Sequence, residues 1–288
     1  MNIQNRKLNK MEQKFITVGV MGWPVEHSRS PIIHNHWIQK YHLNGSYGLF
    51  PVAPSHLEAA LRGISVLGLA GCNITIPHKV ETLKLVDWVD PIATKVGAVN
   101  TVVTQPNGDL HGFNTDVYGY IQGLRDSHPD WRADAGPAVV IGAGGASRAV
   151  IVSLLEEGAT EIRILNRTNA KAEELAHEFG IKVKAIKWAE RNEALSGAAL
   201  LVNTTNQGMH KQEALDIDLA ELPKHALVSD AIYIPLETPL LAMASSRGNP
   251  TVNGLGMLIN QARLSFQAWF GVMPEITPEL NKKIISTF

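Results

Sequence analysis

The sequence predicts a two-domain α/β protein, an N-terminal α/β domain followed by a doubly wound parallel sheet, and three observations carry that prediction. Strand-like and helix-like stretches alternate along almost the whole chain, the pattern of parallel sheets covered by helices on both faces. Near the middle, Ala138-Val139-Val140-Ile141 reads as a buried strand, turns through Gly142-Ala143-Gly144-Gly145 and continues into an apolar helix over Ala149 to Leu155. The length, 288 residues, is large for one core and comfortable for two.

The elements follow in order. Phe15 to Met21 is the first strand, and Ser30-Pro31 opens a helix over Ile32 to Tyr41 with serine as cap and proline at its first position. Tyr47 to Val52 reads as a second strand, and Ser55 caps a helix through Arg62. Leu69 to Thr75 is a third strand, stopped by Ile76-Pro77 before a helix from Lys79 to Val86. Asn100 to Thr104 and Leu110 to Phe113 flank Pro106-Asn107-Gly108-Asp109, which has the chemistry of a tight hairpin turn. Beyond the central unit, Ala199 to Asn203 and Ala226 to Asp230 are strands, and Thr238-Pro239 opens a helix that Gly248 ends. Gly254-Leu255-Gly256 reads as a hinge, and the helices from Met257 to Phe270 and from Pro278 add no strand, so they are expected to pack back on the first domain.

The glycine turn has a chemical reading. A strand, a Gly-x-Gly turn and a helix N-terminus aim free backbone N–H groups and the positive end of a helix dipole at one point, which suits phosphate. Gly142 permits the tight turn, Gly144 lets a pyrophosphate approach, and Ser147, where a third glycine often stands, is small enough for helix to pack on strand. Such turns also occur for structural reasons alone, but the flanking strand and helix favour a dinucleotide. The next strand, Glu161 to Leu165, ends at Asn166-Arg167-Thr168, with Lys171 one turn further on. A site for NAD usually ends that strand with a carboxylate for the ribose hydroxyls. Cationic side chains there would instead attract a 2′-phosphate, so the tip predicts NADP, the alternative being a solvated basic helix start.

Composition excludes several classes. With 26 basic and 27 acidic residues the net charge is −1, which argues against nucleic acid as a partner. The single cysteine, Cys72, rules out an internal disulfide and suits a reducing cytoplasm. No stretch is apolar enough for a membrane, and the polar residues 1–14 read as a flexible tail. His27, His34 and His36 lack a Cys or carboxylate to complete a ligand set, so no metal is expected.

Polar residues at strand ends are the candidates for chemistry. Ser28 and Ser30 follow the first strand, where hydroxyls could hold a polyol or carboxylate, or Ser30 could simply cap its helix. Lys79 follows a strand end and a proline stop, a rigid mount for an acid or base, although most lysines only face water. Asp116 falls at the crossing into the second domain, where it either starts a helix or orients Lys79.

These residues resemble those of the shikimate dehydrogenase family, which reduces 3-dehydroshikimate with NADPH. The likeness runs from Val18 to Gly271 and rests on His27-Ser28-x-Ser30-Pro31, Asn73-x-Thr75-x-Pro77-x-Lys79, Asn100-Thr101 and Asn114-Thr115-Asp116. It continues through Gly142-x-Gly144-Gly145, Asn166-Arg167-Thr168, Asp230-x-x-Tyr233-x-Pro235, and Asn253 to Leu258 with Gln261. The resemblance implies that Lys79 and Asp116 are the catalytic pair. Ser28, Ser30, Asn73, Thr75, Asn100, Tyr233 and Gln261 would surround the substrate. Gly142, Ala143, Gly144, Gly145, Ala146 and Ser147 would hold the pyrophosphate, Asn166, Arg167, Thr168 and Lys171 the adenosine phosphate, with Gly254 also on the cofactor side. It departs from the family at Thr204-Thr205-Asn206-Gln207, where Ala-Thr-Ser is more usual after the asparagine, and at Lys171, where arginine is often seen.

The resulting expectation is a substrate-binding catalytic domain over 15–115, completed by helices in 255–288, and a Rossmann-type NADP-binding domain over 116–254. A cytoplasmic enzyme with a small-molecule substrate, monomer or homodimer, fits. Two other readings stand beside it: quinate or shikimate oxidation with NAD, disfavoured by the missing acid, and a non-catalytic NADP-binding regulator, which would need neither Lys79 nor Asp116.

Overall fold

The computed structural model describes residues 14–288, so the expected flexible tail lies outside the described residues but for Lys14. The first half comprises β1 (Ile16–Gly22), α1 (Ser30–Lys40), β2 (Gly45–Pro51), α2 (Leu57–Val66), β3 (Gly71–Ile74), α3 (Lys79–Leu85), β4 (Trp88–Val89), α4 (Pro91–Val96), β5 (Thr101–Thr104) and β6 (Leu110–Phe113). Its sheet has the order β2-β1-β3-β5-β6-β4. β1 is parallel to both neighbours, but β5 runs antiparallel to β3 and β6. The alternation predicts a largely parallel sheet and the turn at 105–109 a hairpin, and both are present: β1–β2, β1–β3 and β4–β6 pair in parallel, and the hairpin makes β5 antiparallel. Gly108, at φ +92°, donates to the carbonyl of Gln105, and so short a turn joins only antiparallel neighbours.

α5 (Asp116–Ser127) leads into β7 (Ala138–Ile141), α6 (Gly145–Glu156), β8 (Ile162–Leu165), α7 (Asn169–Phe179), β9 (Val183–Ile186), β10 (Leu200–Asn203), β11 (Leu227–Asp230), α8 (Pro239–Ser246) and β12 (Thr251–Val252). This sheet is parallel in every pair, in the order β12-β11-β10-β7-β8-β9. Side chains of β7 alternate between two cores, Val140 with Val150 and Leu154 of α6, Val139 and Ile141 with Leu240 and Leu241 of α8. The strand order reverses between β7 and β10, and such a reversal opens a crevice at the carboxyl ends of the strands.

α9 (Leu255–Phe270) and α10 (Pro278–Ile285) return to the first sheet, where Ile259, Phe266, Leu280 and Ile284 share one buried cluster with Val18, Val20 and Trp37. On the way α9 crosses α5 almost backbone to backbone. A Cβ on Gly119 would lie 2.8 Å from the amide nitrogen of Gln261, and one on Gly123 2.8 Å from that of Met257. Gly254, read from sequence as part of a hinge, has φ −74°, open to any residue. What demands glycine there is space, since its Cβ would stand 2.1 Å from the carbonyl oxygen of Ala231. Gly256 likewise packs on Gly123.

Two helix starts also differ from expectation. Ser30 is the first residue of α1, with Arg29 at the cap position and no side-chain cap. Ser55 sits inside a single 3-10 turn, Pro54–His56, that runs into α2, because Pro54 sets the turn one residue earlier.

Candidate active site

The antiparallel strand creates the site. Because β5 is reversed, its start lies at the same sheet edge as the ends of β3 and β6, and the pairing of Thr101 with Phe113 sets Asn100 beside the segment Asn114–Asp116. Asn114 bridges the edge, donating to Ala98 O at 2.9 Å and accepting from the Asp116 amide at 3.0 Å. Asp116 then begins α5 with only 4 % of its surface exposed.

Lys79 approaches from the opposite side as the first residue of α3. Its turn is pinned by His78, whose Nε2 lies 2.7 Å from Val52 O, and by its own carbonyl, which accepts from Val99 N at 2.9 Å. Lys79 Nζ donates to Asp116 Oδ2 at 2.6 Å, while Asp116 Oδ1 accepts from Asn100 Nδ2 at 2.9 Å. Asn100 in turn accepts the Thr115 amide at 2.8 Å. The carboxylate is therefore clamped by an ammonium and an amide, and the Lys79 side chain keeps 20 % of its surface exposed toward a cleft.

That cleft is lined by Ser28 and Ser30 after β1, Asn73 and Thr75 around the end of β3, and Asn100, all from the first half. Tyr233 and Gln261 close it from the other side, beside Lys79 and Asp116. Ser30 makes no capping bond; its backbone N–H rests 3.3 Å from Ser28 Oγ. Burial raises the Tyr233 phenol above its ordinary value, opposed by the Arg29 charge, so the group keeps its proton at neutral pH. Gly254, expected on the cofactor side, lines this same cleft, with Ala146, Ala231, Met257 and Leu258. Sequence reasoning did not single out Ser265, one helical turn after Gln261, whose Oγ lies 2.8 Å from Thr101 Oγ1 and 2.9 Å from Asn73 Nδ2. Its spacing of four from Gln261, on the same helical face, was the available signal.

A second cleft opens at the carboxyl ends of β7 and β8, bounded by Gly142, Ala143, Gly144, Asn166, Arg167, Thr168 and Lys171. Gly142 sits at φ +115°, which only glycine takes without strain, and a Cβ there would strike Thr204 Oγ1 at 2.5 Å. A Cβ on Gly144 would meet nothing within 4 Å, so the turn presents bare backbone to open space. Among the described residues, no side-chain hydrogen bond or ion pair engages Arg167 or Lys171, and Asn166 turns its amide back onto Thr168 O at 2.8 Å. This is a fitting cradle for a dinucleotide with an extra phosphate.

Ser147 was expected against the cofactor, but it is fully buried. Its hydroxyl accepts from Gly144 N at 3.1 Å and bonds Thr204 Oγ1 at 2.6 Å, so it shapes the turn from beneath. The unusual segment Thr204 to Gln207 thereby gains a role: Thr204 also donates to Ile141 O at 2.6 Å, and the whole segment, with Trp188, forms a wall of the cleft.

The two clefts adjoin. A Cβ on Gly145 would lie 3.6 Å from Lys79 Cδ, so the glycine turn of one half borders the lysine of the other.

Comparison with known proteins agrees with this geometry. Residues 20–102 match the shikimate dehydrogenase substrate binding domain, residues 130–228 the shikimate / quinate 5-dehydrogenase family, and residues 254–278 the shikimate 5'-dehydrogenase C-terminal domain. A shikimate dehydrogenase (NADP(+)) of Paramagnetospirillum magneticum is 49 % identical over 276 residues, 96 % of this chain and 100 % of that protein. The chain belongs to the shikimate dehydrogenase family. A shikimate 5-dehydrogenase of Thermus thermophilus, solved with NADP(H) and shikimate, superposes with a TM-score of 0.84 at 35 % identity, covering 95 % of this chain and 100 % of that one. A quinate dehydrogenase of Corynebacterium glutamicum, solved with NAD, reaches a TM-score of 0.87 at 29 % identity over 94 % of this chain and 99 % of that one. Among the described residues no helix is long and apolar enough to cross a membrane, and no group of three or more His, Cys, Asp or Glu could hold a metal ion.

Proposed function

We propose that this chain catalyses the reversible reduction of 3-dehydroshikimate to shikimate with NADPH, a step of aromatic amino acid biosynthesis, with Lys79 and Asp116 as the catalytic pair. The observation that carries the reading is the 2.6 Å contact between Lys79 and a buried carboxylate, set directly beside the glycine turn. NADPH supplies the hydride when bound. As the 3-keto carbon is reduced, negative charge grows on its oxygen, and a donor within hydrogen-bond reach must neutralise it. Lys79 provides both the positive charge and the proton, and in the oxidative direction takes the proton from the ring hydroxyl. Asp116 holds the ammonium in line and accepts from a neighbouring hydroxyl of the ring. Ser28 and Ser30 offer hydroxyl donors to the substrate carboxylate, while Asn73, Thr75, Asn100, Tyr233 and Gln261 surround the ring.

On the cofactor side, Gly142 to Ala146 take the pyrophosphate through backbone N–H groups. Asn166, Arg167, Thr168 and Lys171 take the 2′-phosphate. We read the protein as a cytoplasmic enzyme acting on a small molecule, monomer or homodimer, without a nucleic-acid partner. The test is the appearance of reduced nicotinamide absorbance when purified protein meets shikimate or quinate with NADP or NAD. Shikimate with NADP is expected to give much the highest kcat/KM. No turnover with any of the four pairs refutes the function, and a preference for quinate with NAD replaces it with the sibling activity.

A further inference from the structure

Tyr47 stands in the middle of β2, 4 % exposed, and no motif drew attention to it. It is held on every side. Asn35 of α1 clamps its backbone, accepting from Tyr47 N at 3.0 Å and donating to Tyr47 O at 2.9 Å. The ring stacks on His34, centroids 4.1 Å apart and planes 7° from parallel. Burial pushes the pKa of His34 down to about 3, so that imidazole is a neutral plate at any working pH. From this seat the Tyr47 hydroxyl donates to Asn73 Oδ1 at 2.7 Å.

We propose that Tyr47 is a positioning residue that fixes the orientation of the Asn73 amide, so that Asn73 offers the substrate an acceptor and no donor. The amide N–H groups of Asn73 point to Ser265 Oγ at 2.9 Å, Thr101 Oγ1 at 3.1 Å and Asn100 O at 3.2 Å. One lone pair of Oδ1 is taken by Tyr47, and the second is what remains for a ligand. A ring hydroxyl can donate to it, whereas a carboxylate or ketone presented there would face only another acceptor. Tyr47 thus helps set which way round the ring sits, with a hydroxyl at Asn73 and the carboxylate at the serines. Without the phenol O–H, Oδ1 loses a buried partner, and the amide is held from its nitrogen end alone.

This rests on the proposed activity, so the full-length chain is first assayed with shikimate and NADP; absence of turnover there refutes the activity and is independent of Tyr47. Tyr47→Phe keeps the ring and its stacking. It is expected to raise the KM for shikimate about tenfold, the weight of one well-placed buried hydrogen bond. The turnover number and the KM for NADP are expected to stay within about twofold of the parent, since neither proton transfer nor the cofactor cradle is touched. In an Asn73→Ala background the same change is expected to add less than about twofold, because the residue through which it acts is gone. Ser265→Ala, which releases the amide from its other end, is expected to show the same KM-selective loss. An unchanged shikimate KM in Tyr47→Phe or in Ser265→Ala overturns the proposal, as does a tenfold effect that persists without Asn73.

Discussion

Replacing Lys79 by Met tests the mechanism most directly. The methionine stem retains the packing beside Gly145, where the Lys79 Cδ lies 3.6 Å from the position a Cβ would take, so the border between the two halves is preserved. What disappears is the ammonium 2.6 Å from Asp116 Oδ2. Stripping one partner from a fully buried pair costs about 3–5 kcal/mol. Here Lys79 is one-fifth exposed, and Asp116 retains its bond from Asn100 at 2.9 Å and can still be reached by water, so the loss should be smaller and the protein should fold. Catalysis is affected differently. General acid–base help is worth roughly 10²–10⁴ in rate, so kcat should fall by at least about a hundredfold. The KM for shikimate should move only a few-fold, because the missing interaction is strongest in the transition state. Asp116→Asn should damage both constants, since Asp116 also meets a ring hydroxyl, and the double variant should lose less than the product of the single losses. The assay is steady-state NADPH formation by variants whose folding and NADP binding are verified separately. Near-normal turnover in folded, NADP-binding Lys79→Met would remove Lys79 from the chemistry.

Three further outcomes follow from other parts of the molecule. Arg167→Ala is expected to raise the KM for NADP about tenfold while leaving that for NAD within about twofold, since a charge-assisted phosphate contact is lost only in the first case; equal effects on both would exclude Arg167 as the reader of the 2′-phosphate. Gly123→Ala is expected to destabilise the fold by about 1–3 kcal/mol in urea denaturation, because its Cβ would meet the Met257 amide at 2.8 Å and backbone cannot step aside; an unchanged midpoint would contradict so close a crossing. Asp230 is buried, which raises its pKa from 3.8 to about 6. The native state then binds its proton more tightly than the unfolded chain, so stability from this group falls as pH rises between about 3.8 and about 6, by about 3 kcal/mol in all. Asp230→Asn cannot ionise and is expected to flatten that part of the stability profile; an unchanged slope would assign the pH dependence to other groups.

The second half of the fold was readable in the sequence because its signals are local. A strand such as Ala138–Ile141, buried on both faces, is a continuous apolar run, and the glycine turn that follows needs no distant partner to be recognised. The first half was harder for a physical reason. β4 is only two residues, Trp88–Val89, and α4 only six, Pro91–Val96, too short for any period to register. The β5–β6 hairpin was legible in the Asn107-Gly108 turn, whereas nothing local in the sequence marks that β5 pairs with β3 along its other edge. Within the site, residues at strand ends were visible as polar interruptions of apolar runs. Tyr47 and Ser265 were not, because each acts through another side chain and sits in a regular element where a buried Tyr or Ser has many ordinary explanations. Gly254 and Gly256 were read for their freedom, and the structure adds a second reason for glycine there, since each admits a neighbouring backbone at close range.

That contact explains why the site forms where it does. Asp116 begins α5 and Gln261 lies on α9, so the helices that cross without side chains between them also deliver a catalytic carboxylate and a wall of the cleft. A bulkier crossing would move Asp116 and Gln261 apart and draw Asp116 away from Lys79, which is mounted independently on α3. The glycine pair thus sets a distance in the site about as directly as the side chains that meet there. On the other border the glycine turn comes within van der Waals range of the Lys79 side chain, and Ser147 ties that turn down to Thr204. Hydride and proton must reach adjacent atoms of one carbonyl group, and in this chain the close helix crossing at Gly119 and Gly123 holds Asp116, and through it Lys79, beside the dinucleotide turn.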